Sequence, residues 1–88
     1  MKIEEILYTP TFKKSFKGLS KDLQNEAIDR ERLFRADAFD LKLKTHKLKG
    51  RFKNYYSFSI SYSHRIVFRF INKDKVLFVD CGDHSVYK

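Results

Sequence analysis

The sequence predicts an α+β fold, in which an antiparallel sheet carries a helical hairpin on one face and the elements follow the order β-α-α-β-β-β. Two observations support this prediction. Hydrophobic residues at helical spacing fill two segments between residues 9 and 36, and three successive segments after residue 54 have the composition of strands. We assign residues 1–88 to a single domain, because a chain of this length has room for one modest core.

The first three elements come from the amino-terminal half. The stretch "KIEEILYT" ends in β-favouring residues and predicts a short strand. Thr9-Pro10 predicts a helix start, because a hydroxyl cap precedes proline at the first helical position, and Gly18 marks the end of that helix. Ser20 can cap a second helix that extends to about Ala36. The apolar stripes of the two helices consist of Phe12, Phe16 and Leu19, and of Leu23, Ala27, Phe34 and one of Arg30 or Leu33.

The other half begins with a basic connector, residues 37–50, which shows neither a helical stripe nor a clean strand pattern. The strict alternation of large side chains with serine in "YYSFSISYS" then predicts a strand with two different faces. After a tight turn near Ser63, "HRIVFRFIN" predicts a second strand, and "KVLFVDCG" predicts a third after a turn at residues 72–74.

One face of this sheet is expected to remain open. The Phe and Ile side chains should face the helices, since nothing else in so short a chain could cover them. The opposite face would then present Ser57, Ser59, Ser61, Arg65 and Arg69. A shallow cationic face with a floor of small residues suits single-stranded nucleic acid, and an ordinary solvent-facing sheet surface is the alternative.

The charge distribution indicates a polyanionic partner. The net charge is +8, and residues 41–88 supply all of the excess, with eleven basic and three acidic side chains. Nucleic acid is the commonest polyanion in a cytosol, and a basic face that only maintains solubility is the alternative. Cys81 is the only cysteine, which excludes an internal disulfide. The sequence shows neither a secretory signal nor a membrane span, so a cytoplasmic protein is expected.

Three histidines are candidates for proton transfer. His64 is predicted to lie in a turn, whereas His46 and His84 flank the three-stranded segment and could meet in space. A base, an acid and a nearby cation are the minimum for cleaving RNA through its own 2′-hydroxyl, and histidine suits both proton roles. Surface histidines without a function are the alternative. No zinc spacing, glycine-rich phosphate loop or carboxylate cluster is present, so no metal or cofactor is expected.

Two motifs make the chain resemble a known family. The motif "HKLKG" precedes the first strand of the meander and "GDHSVY" follows the last one. Together with "YSFSISYSHRIVF" and the order of elements, they are similar to the RelE/ParE superfamily of bacterial toxin–antitoxin toxins, and within it to the YafQ-like and YoeB-like branches. The resemblance covers essentially the whole chain. It implies an mRNA interferase that contacts the ribosome, cuts mRNA in the A site without a metal, and is neutralised by an antitoxin that wraps over it.

The resemblance also implies roles for individual residues. His46 matches the connector histidine of the family, Arg65 the arginine that stabilises the phosphate, and His84 the carboxy-terminal catalytic histidine. We expect His84 to act as general acid and His46 as a candidate base. The chain departs from the family where Ser63 replaces a YafQ-like aspartate and Lys42 replaces a YoeB-like glutamate, so the identity of the general base stays open. The residues expected to bind phosphate or RNA are Lys42, Lys44, Lys47, Lys49, Arg51, Arg69 and Tyr87.

Two other functions stay open. A ParE-type toxin that inhibits gyrase would act by binding a protein and would not need the histidines. A non-catalytic relative that binds nucleic acid would keep only the basic sheet face. In either toxin interpretation, the antitoxin is expected to carry an acidic segment, partly disordered until bound, that covers the cationic groove.

Overall fold

The computed structural model describes residues 1–50 and 54–87, which form two α-helices and a five-stranded sheet. The strands are β1 (Glu5–Tyr8), β2 (His46–Lys47), β3 (Tyr56–Ser59), β4 (Arg65–Asn72) and β5 (Lys75–Gly82). The helices are α1 (Pro10–Lys17) and α2 (Lys21–Ala36), and two 3₁₀ turns occupy Leu41–Leu43 and His84–Tyr87. The predicted α+β class is therefore confirmed, with β2 as an additional short strand.

Both helices begin where their capping signals indicate. Thr9 Oγ1 accepts a hydrogen bond from the backbone N–H of Phe12 at 2.9 Å, and proline occupies the first position of α1. Ser20 Oγ accepts from the N–H of Leu23 at 3.2 Å at the start of α2. The side-chain amide of Gln24 donates to backbone carbonyls at the end of α1, which joins the two helices into a hairpin.

The sheet is mixed, with the strand order β1-β5-β4-β3-β2. Strands β3 to β5 form the predicted antiparallel meander, and β2 adds to it antiparallel, whereas β1 pairs with β5 in parallel. This parallel pair joins Glu5 to Lys75, residues that are far apart in the sequence. The sequence pattern did not reveal it, because alternation within one strand carries no information about the direction of a distant neighbour.

The core lies between the helices and one face of the sheet. Phe34 of α2 is completely buried, and its ring centroid lies 4.8 Å from that of Phe58, 4.9 Å from Phe68 and 5.5 Å from Phe78. These partners belong to β3, β4 and β5, so one helical side chain joins three strands. The prediction that the Phe and Ile side chains face the helices is confirmed by these three rings and by Ile66, which is also buried.

The connector between α2 and β3 is more regular than its sequence pattern indicates. The side chain of Asp40 accepts a hydrogen bond from the N–H of Lys42 and caps the first 3₁₀ turn. Leu43 is completely buried, and Thr45 Oγ1 donates to the carbonyl of Ala38 at 2.7 Å. These contacts fix the connector to the core, so the short strand β2 begins at a defined position.

The sheet face opposite the helices differs from the open groove predicted from the serines. Ser57 is 0% exposed and Ser59 is 8% exposed, so the interpretation of these two serines as an accessible floor is wrong. Arg65 covers part of this face, because its Nη1 donates to Ser59 Oγ at 2.8 Å. Ser61 is half-buried. A small side chain leaves space that a longer neighbour can occupy, and alternation alone does not reveal that neighbour.

Within residues 1–50 and 54–87, neither helix has the length and apolar character needed to cross a membrane. The same residues contain no group of three His, Cys, Asp or Glu side chains that could hold a metal ion. Cys81 is buried, and its burial, with a smaller effect of the charge of Asp80, raises the pKa of the thiol to about 12. The thiol therefore stays protonated and belongs to the core.

Candidate active site

The sheet register brings the predicted catalytic residues toward one end of the sheet. His46 pairs with Ser57 across β2 and β3, and Arg65 pairs with Ser59 across β3 and β4. Directly opposed residues of neighbouring strands project from the same face of a sheet, and so do alternate residues of one strand, such as Ser57 and Ser59. His46 and Arg65 therefore lie on the same face, which is the face away from the helices. Two inter-strand spacings and two residues along the strand separate them, which corresponds to about 12 Å between their Cα atoms.

Arg65 is held in place by Ser59. Ser59 is buried, Arg65 is half-buried, and the 2.8 Å bond from Nη1 to Oγ uses one of the five N–H donors of the guanidinium. The ion pairs found among the described residues do not include Arg65. A guanidinium fixed in this way, with most of its donors left for a ligand, can bind a phosphate in a bidentate manner.

His46 is exposed on the edge strand β2, and a backbone contact orients its ring. Nδ1 lies 3.2 Å from the carbonyl oxygen of Lys44, a residue with left-handed backbone geometry (φ 53°) at the end of the first 3₁₀ turn. Because a carbonyl can only accept a hydrogen bond, Nδ1 carries the proton in this contact. Nε2 of the neutral ring is then unprotonated, so His46 can accept a proton there.

His84 begins the second 3₁₀ turn, two residues after Gly82, which pairs with Arg65 at the end of β5. The turn is closed by Asp83, whose side chain and carbonyl accept hydrogen bonds from backbone N–H groups two and three residues later, at 2.9 and 3.0 Å. The backbone of this turn therefore lies at the Arg65 end of the sheet. The side chains of His84 and Tyr87 lie outside the part of the chain that the structure describes, so their roles stay predictions.

The lysines predicted to bind phosphate lie in the exposed connector and in β2. The connector is tied to α2, because Arg30 donates to the carbonyl of Lys42 at 2.9 Å. Arg69 is exposed on β4, four residues after Arg65, and Arg51 lies outside the described residues. The exposed lysines of the predicted set are Lys42, Lys44, Lys47 and Lys49.

The basic half of the chain keeps its positive charge in the folded state. Of the five ion pairs among the described residues, four join groups within the first forty residues, and the fifth joins Lys75 to Glu5 at 3.6 Å. The exposed connector lysines, Arg65 and Arg69 take part in none of these pairs. Within the described part of the chain, no ion pair neutralises these cations, and unpaired positive charge of this kind attracts polyanions.

Sequence reasoning missed the role of Ser59 as the partner of Arg65. It recognised a tight turn near Ser63, and the structure closes that hairpin with a 2.8 Å hydrogen bond from the N–H of Ile60 to the carbonyl of His64. This closure places Ser59 directly opposite Arg65. The register of the hairpin was therefore the signal that could have identified the pair, whereas the alternation only assigned the two residues to one face.

No family model matches the sequence, and no curated protein matches it significantly. Solved structures do match the fold. The YoeB/ParE toxin from Agrobacterium tumefaciens superposes with a TM-score of 0.78 at 20% identity, covering 92% of this chain and 99% of that protein. YafQ from E. coli strain BL21(DE3) also gives a TM-score of 0.78, at 17% identity, covering 93% of this chain and 94% of YafQ.

A third match is to the E. coli DinJ–YafQ toxin–antitoxin complex, with a TM-score of 0.75, 18% identity, and coverage of 98% of this chain and 97% of the matched chain. Identities of this size show a shared fold. The resemblance noted in the sequence is confirmed at this level, over nearly the whole length of both proteins. The chain has the fold of the YoeB/ParE toxin from Agrobacterium tumefaciens and of YafQ from E. coli.

Proposed function

We propose that the chain is the toxin of a type II toxin–antitoxin system and cuts mRNA in the A site of the ribosome, by a metal-independent reaction. The observation that carries the proposal is the placement of His46, Arg65 and the turn that begins at His84 at one end of a cationic sheet face. The fold shared with YafQ, which forms a toxin–antitoxin complex with DinJ, supports the assignment as a toxin.

Each proposed group has a place in the reaction. His46 accepts the proton of the 2′-hydroxyl through Nε2, and the 2′-oxygen attacks the adjacent phosphorus. The guanidinium of Arg65 stabilises the charge of the phosphorane. His84 donates a proton to the departing 5′-oxygen, so the products are a 2′,3′-cyclic phosphate and a 5′-hydroxyl. The connector lysines and Arg69 hold the RNA backbone through its phosphates.

The second partner in this proposal is an acidic antitoxin, partly disordered before binding. The cations of the connector and of β4 are exposed or half-buried and take part in no ion pair among the described residues, so an acidic segment could neutralise them. Such a segment would cover Arg65 and the connector lysines together, which blocks access of RNA.

The test is primer extension on a reporter mRNA after brief induction of the wild-type protein and of His84→Ala. Samples with translating ribosomes are compared with samples in which initiation is blocked. We expect cuts only in the translated wild-type sample. His64→Ala is the matched control, because it removes a half-buried imidazole that bonds to Ser63 at the hairpin tip and has no proposed role. This variant should still cut.

Growth arrest without cuts would contradict the nuclease assignment and would lead to gyrase assays, since one matched structure is a YoeB/ParE toxin. Cuts by His84→Ala at the wild-type rate would remove His84 from the mechanism. Antitoxin binding by the inactive variant distinguishes a lost catalytic group from a lost fold.

A further inference from the structure

A groove lies beside the first residue of β3, at the end of the strand that is away from Arg65. It forms because β4 is longer than β3: Tyr56, the first residue of β3, pairs with Phe68, whereas β4 continues to Asn72. Side chains from both faces of β4 therefore reach the space beyond the start of β3. The groove has a volume of about 390 Å³ and is lined by Lys47, Asn54, Tyr56, Arg69 and Phe70.

Among the residues that the structure describes, the lining of this groove combines two cations, one carboxamide and two aromatic rings, without a carboxylate. The larger groove beside α2 differs in this respect. There, Arg30 pairs with Glu26 at 3.3 Å and Arg32 pairs with Asp29 at 3.6 Å, so two of its three cations already have carboxylate partners. The cations at the end of β3 take part in no ion pair among the described residues, and they remain available for an anionic ligand.

The aromatic side of the groove is a fixed surface. The rings of Tyr56 and Phe70 meet edge to face, with centroids 5.3 Å apart and an interplanar angle of 85°. Tyr56 also stacks on buried Phe68 at 5.6 Å, and Phe39, which is 43% exposed, packs against both outer rings. Rings held in this way lose little conformational entropy when a planar ligand stacks on them.

We infer that this groove binds one nucleotide of single-stranded RNA that flanks the cleaved bond, an inference that rests on the proposed nuclease function. The base stacks on Tyr56 or Phe70, and the carboxamide of Asn54 can donate to and accept from the base edge. Lys47 and Arg69 bind the phosphate. Arg69 lies four residues from Arg65 along β4, about 13 Å, so an RNA strand bound at Arg65 can continue to the groove.

The phosphate contact is tested by fluorescence anisotropy with a labelled six-nucleotide 2′-O-methyl RNA, which binds but cannot be cut because its 2′-hydroxyls are blocked. We expect Lys47→Gln to weaken binding several-fold and to reduce the slope of log affinity against log salt by about 0.7, the value for one phosphate contact on a single strand. Lys73→Gln is the matched control, because Lys73 is exposed in the turn between β4 and β5 and does not line the groove. Its slope should stay close to that of the wild type.

The base contact is tested with RNAs of the same length that lack one base at successive positions. Loss of the base that occupies the groove should weaken wild-type binding about tenfold. Asn54→Ala and Tyr56→Leu should bind every one of these RNAs with similar affinity. Asn54 is exposed, so its substitution keeps the core intact even if Tyr56→Leu disturbs it.

Three outcomes would overturn the inference: equal losses for Lys47→Gln and Lys73→Gln, no dependence on any single base, or no binding by the wild-type protein. None of these readouts requires cleavage. A protein that cuts mRNA on ribosomes but shows no base dependence lacks the subsite and keeps the proposed function. A protein that shows the base dependence but never cuts mRNA has the subsite and lacks the proposed function.

Discussion

The orientation of the Arg65 guanidinium depends on one hydrogen bond, to Ser59. A surface arginine samples many rotamers, and fixing them costs conformational entropy that a ligand would otherwise have to offset. Here the bond to buried Ser59 fixes one nitrogen of the guanidinium before any ligand arrives. In the proposed reaction, this pre-organisation stabilises the charged phosphorane without a further ordering step. Ser59 is thus a positioning residue for Arg65.

We expect Ser59→Ala to lower the single-turnover cleavage rate on ribosomes by about tenfold, because the guanidinium loses its fixed direction. Ser59→Thr keeps a hydroxyl and should recover much of the rate. The free energy of unfolding, measured by urea titration, should change by only about 1 kcal/mol for loss of the hydrogen bond.

Ser61→Ala is the control for this substitution, because the Ser61 hydroxyl bonds to the backbone of the turn and does not contact Arg65. Equal rates for Ser59→Ala and the wild type would show that Arg65 needs no partner. An equal loss of cleavage rate in Ser59→Ala and Ser59→Thr would indicate that packing at this position, and not the hydroxyl, determines the rate.

Tyr8 illustrates a different effect at the residue scale, since it links stability to pH. Its hydroxyl donates a hydrogen bond to Glu31, which also pairs with Arg35 at 3.4 Å. Burial, and then the contact with Glu31, raise the pKa of Tyr8 to about 12 from its ordinary 10.0. The unfolded chain therefore loses this proton at lower pH than the folded protein does. The stabilisation is complete below pH 10 and is lost as the pH rises to about 12.

We expect the difference in free energy of unfolding between the wild type and Tyr8→Phe to decrease between pH 10 and 12, because phenylalanine has no proton to lose. The difference should be constant from pH 7 to pH 9. Urea titrations at a series of pH values measure both ranges. Curves that stay parallel up to pH 12 would contradict the assignment of this titration to Tyr8.

At the scale of secondary-structure elements, α1 is fixed to β5 by its N-cap and by a serine in its second half. Thr9 Oγ1 accepts from the N–H of Phe12 and donates to the carbonyl of Val79 at 2.7 Å. Six residues later, Ser15 Oγ donates to Asp80 at 2.6 Å. Both contacts fall where the register between β4 and β5 shifts, so the irregular part of β5 supplies the groups that bind the helix.

We expect Thr9→Ala to lower the free energy of unfolding by about 1–2 kcal/mol, because it removes both the helix cap and the bond to β5. Thr11→Ala is the matched control, since Thr11 is exposed within α1 and its substitution should have little effect. Urea denaturation followed by circular dichroism measures both variants. Similar values for the two would show that the cap contributes little.

Local signals predicted the elements better than their arrangement. Thr9-Pro10 and Ser20 marked the helix starts correctly, because capping depends on residues within one turn. The two-residue strand β2 was missed, because its pairing depends on Ser57, which lies eleven residues after its partner His46. The sites of His46 and Arg65 on one sheet face followed from the same distant pairings. The part of the candidate site that depends on register could therefore be predicted only in outline.

At the scale of the whole molecule, stability depends strongly on the contact between the helix layer and the sheet. Phe34 is the side chain at the centre of this contact, with ring partners in three strands. A domain of this size is stable by about 5–15 kcal/mol in total, so the loss of one such ring removes a large fraction of it.

We expect Phe34→Ala to lower the free energy of unfolding by about 3–5 kcal/mol, through lost burial and the cavity that remains. Phe39→Ala removes the same ring from a position that is 43% exposed, and should cost clearly less. Urea denaturation at a fixed pH compares them. Equal losses would mean that the core can close around the missing Phe34 ring.

The pairing of β1 with β5 delays completion of the sheet until β5 has been synthesised. β1 is made long before its neighbour in the sheet, which begins only at Lys75. Contacts between such distant residues form late in folding. β5 also ends in Gly82, the partner of Arg65, so the proposed active site is assembled at the same stage. In the proposed role, a chain synthesised only as far as β4 therefore lacks this part of the site and is not yet a nuclease.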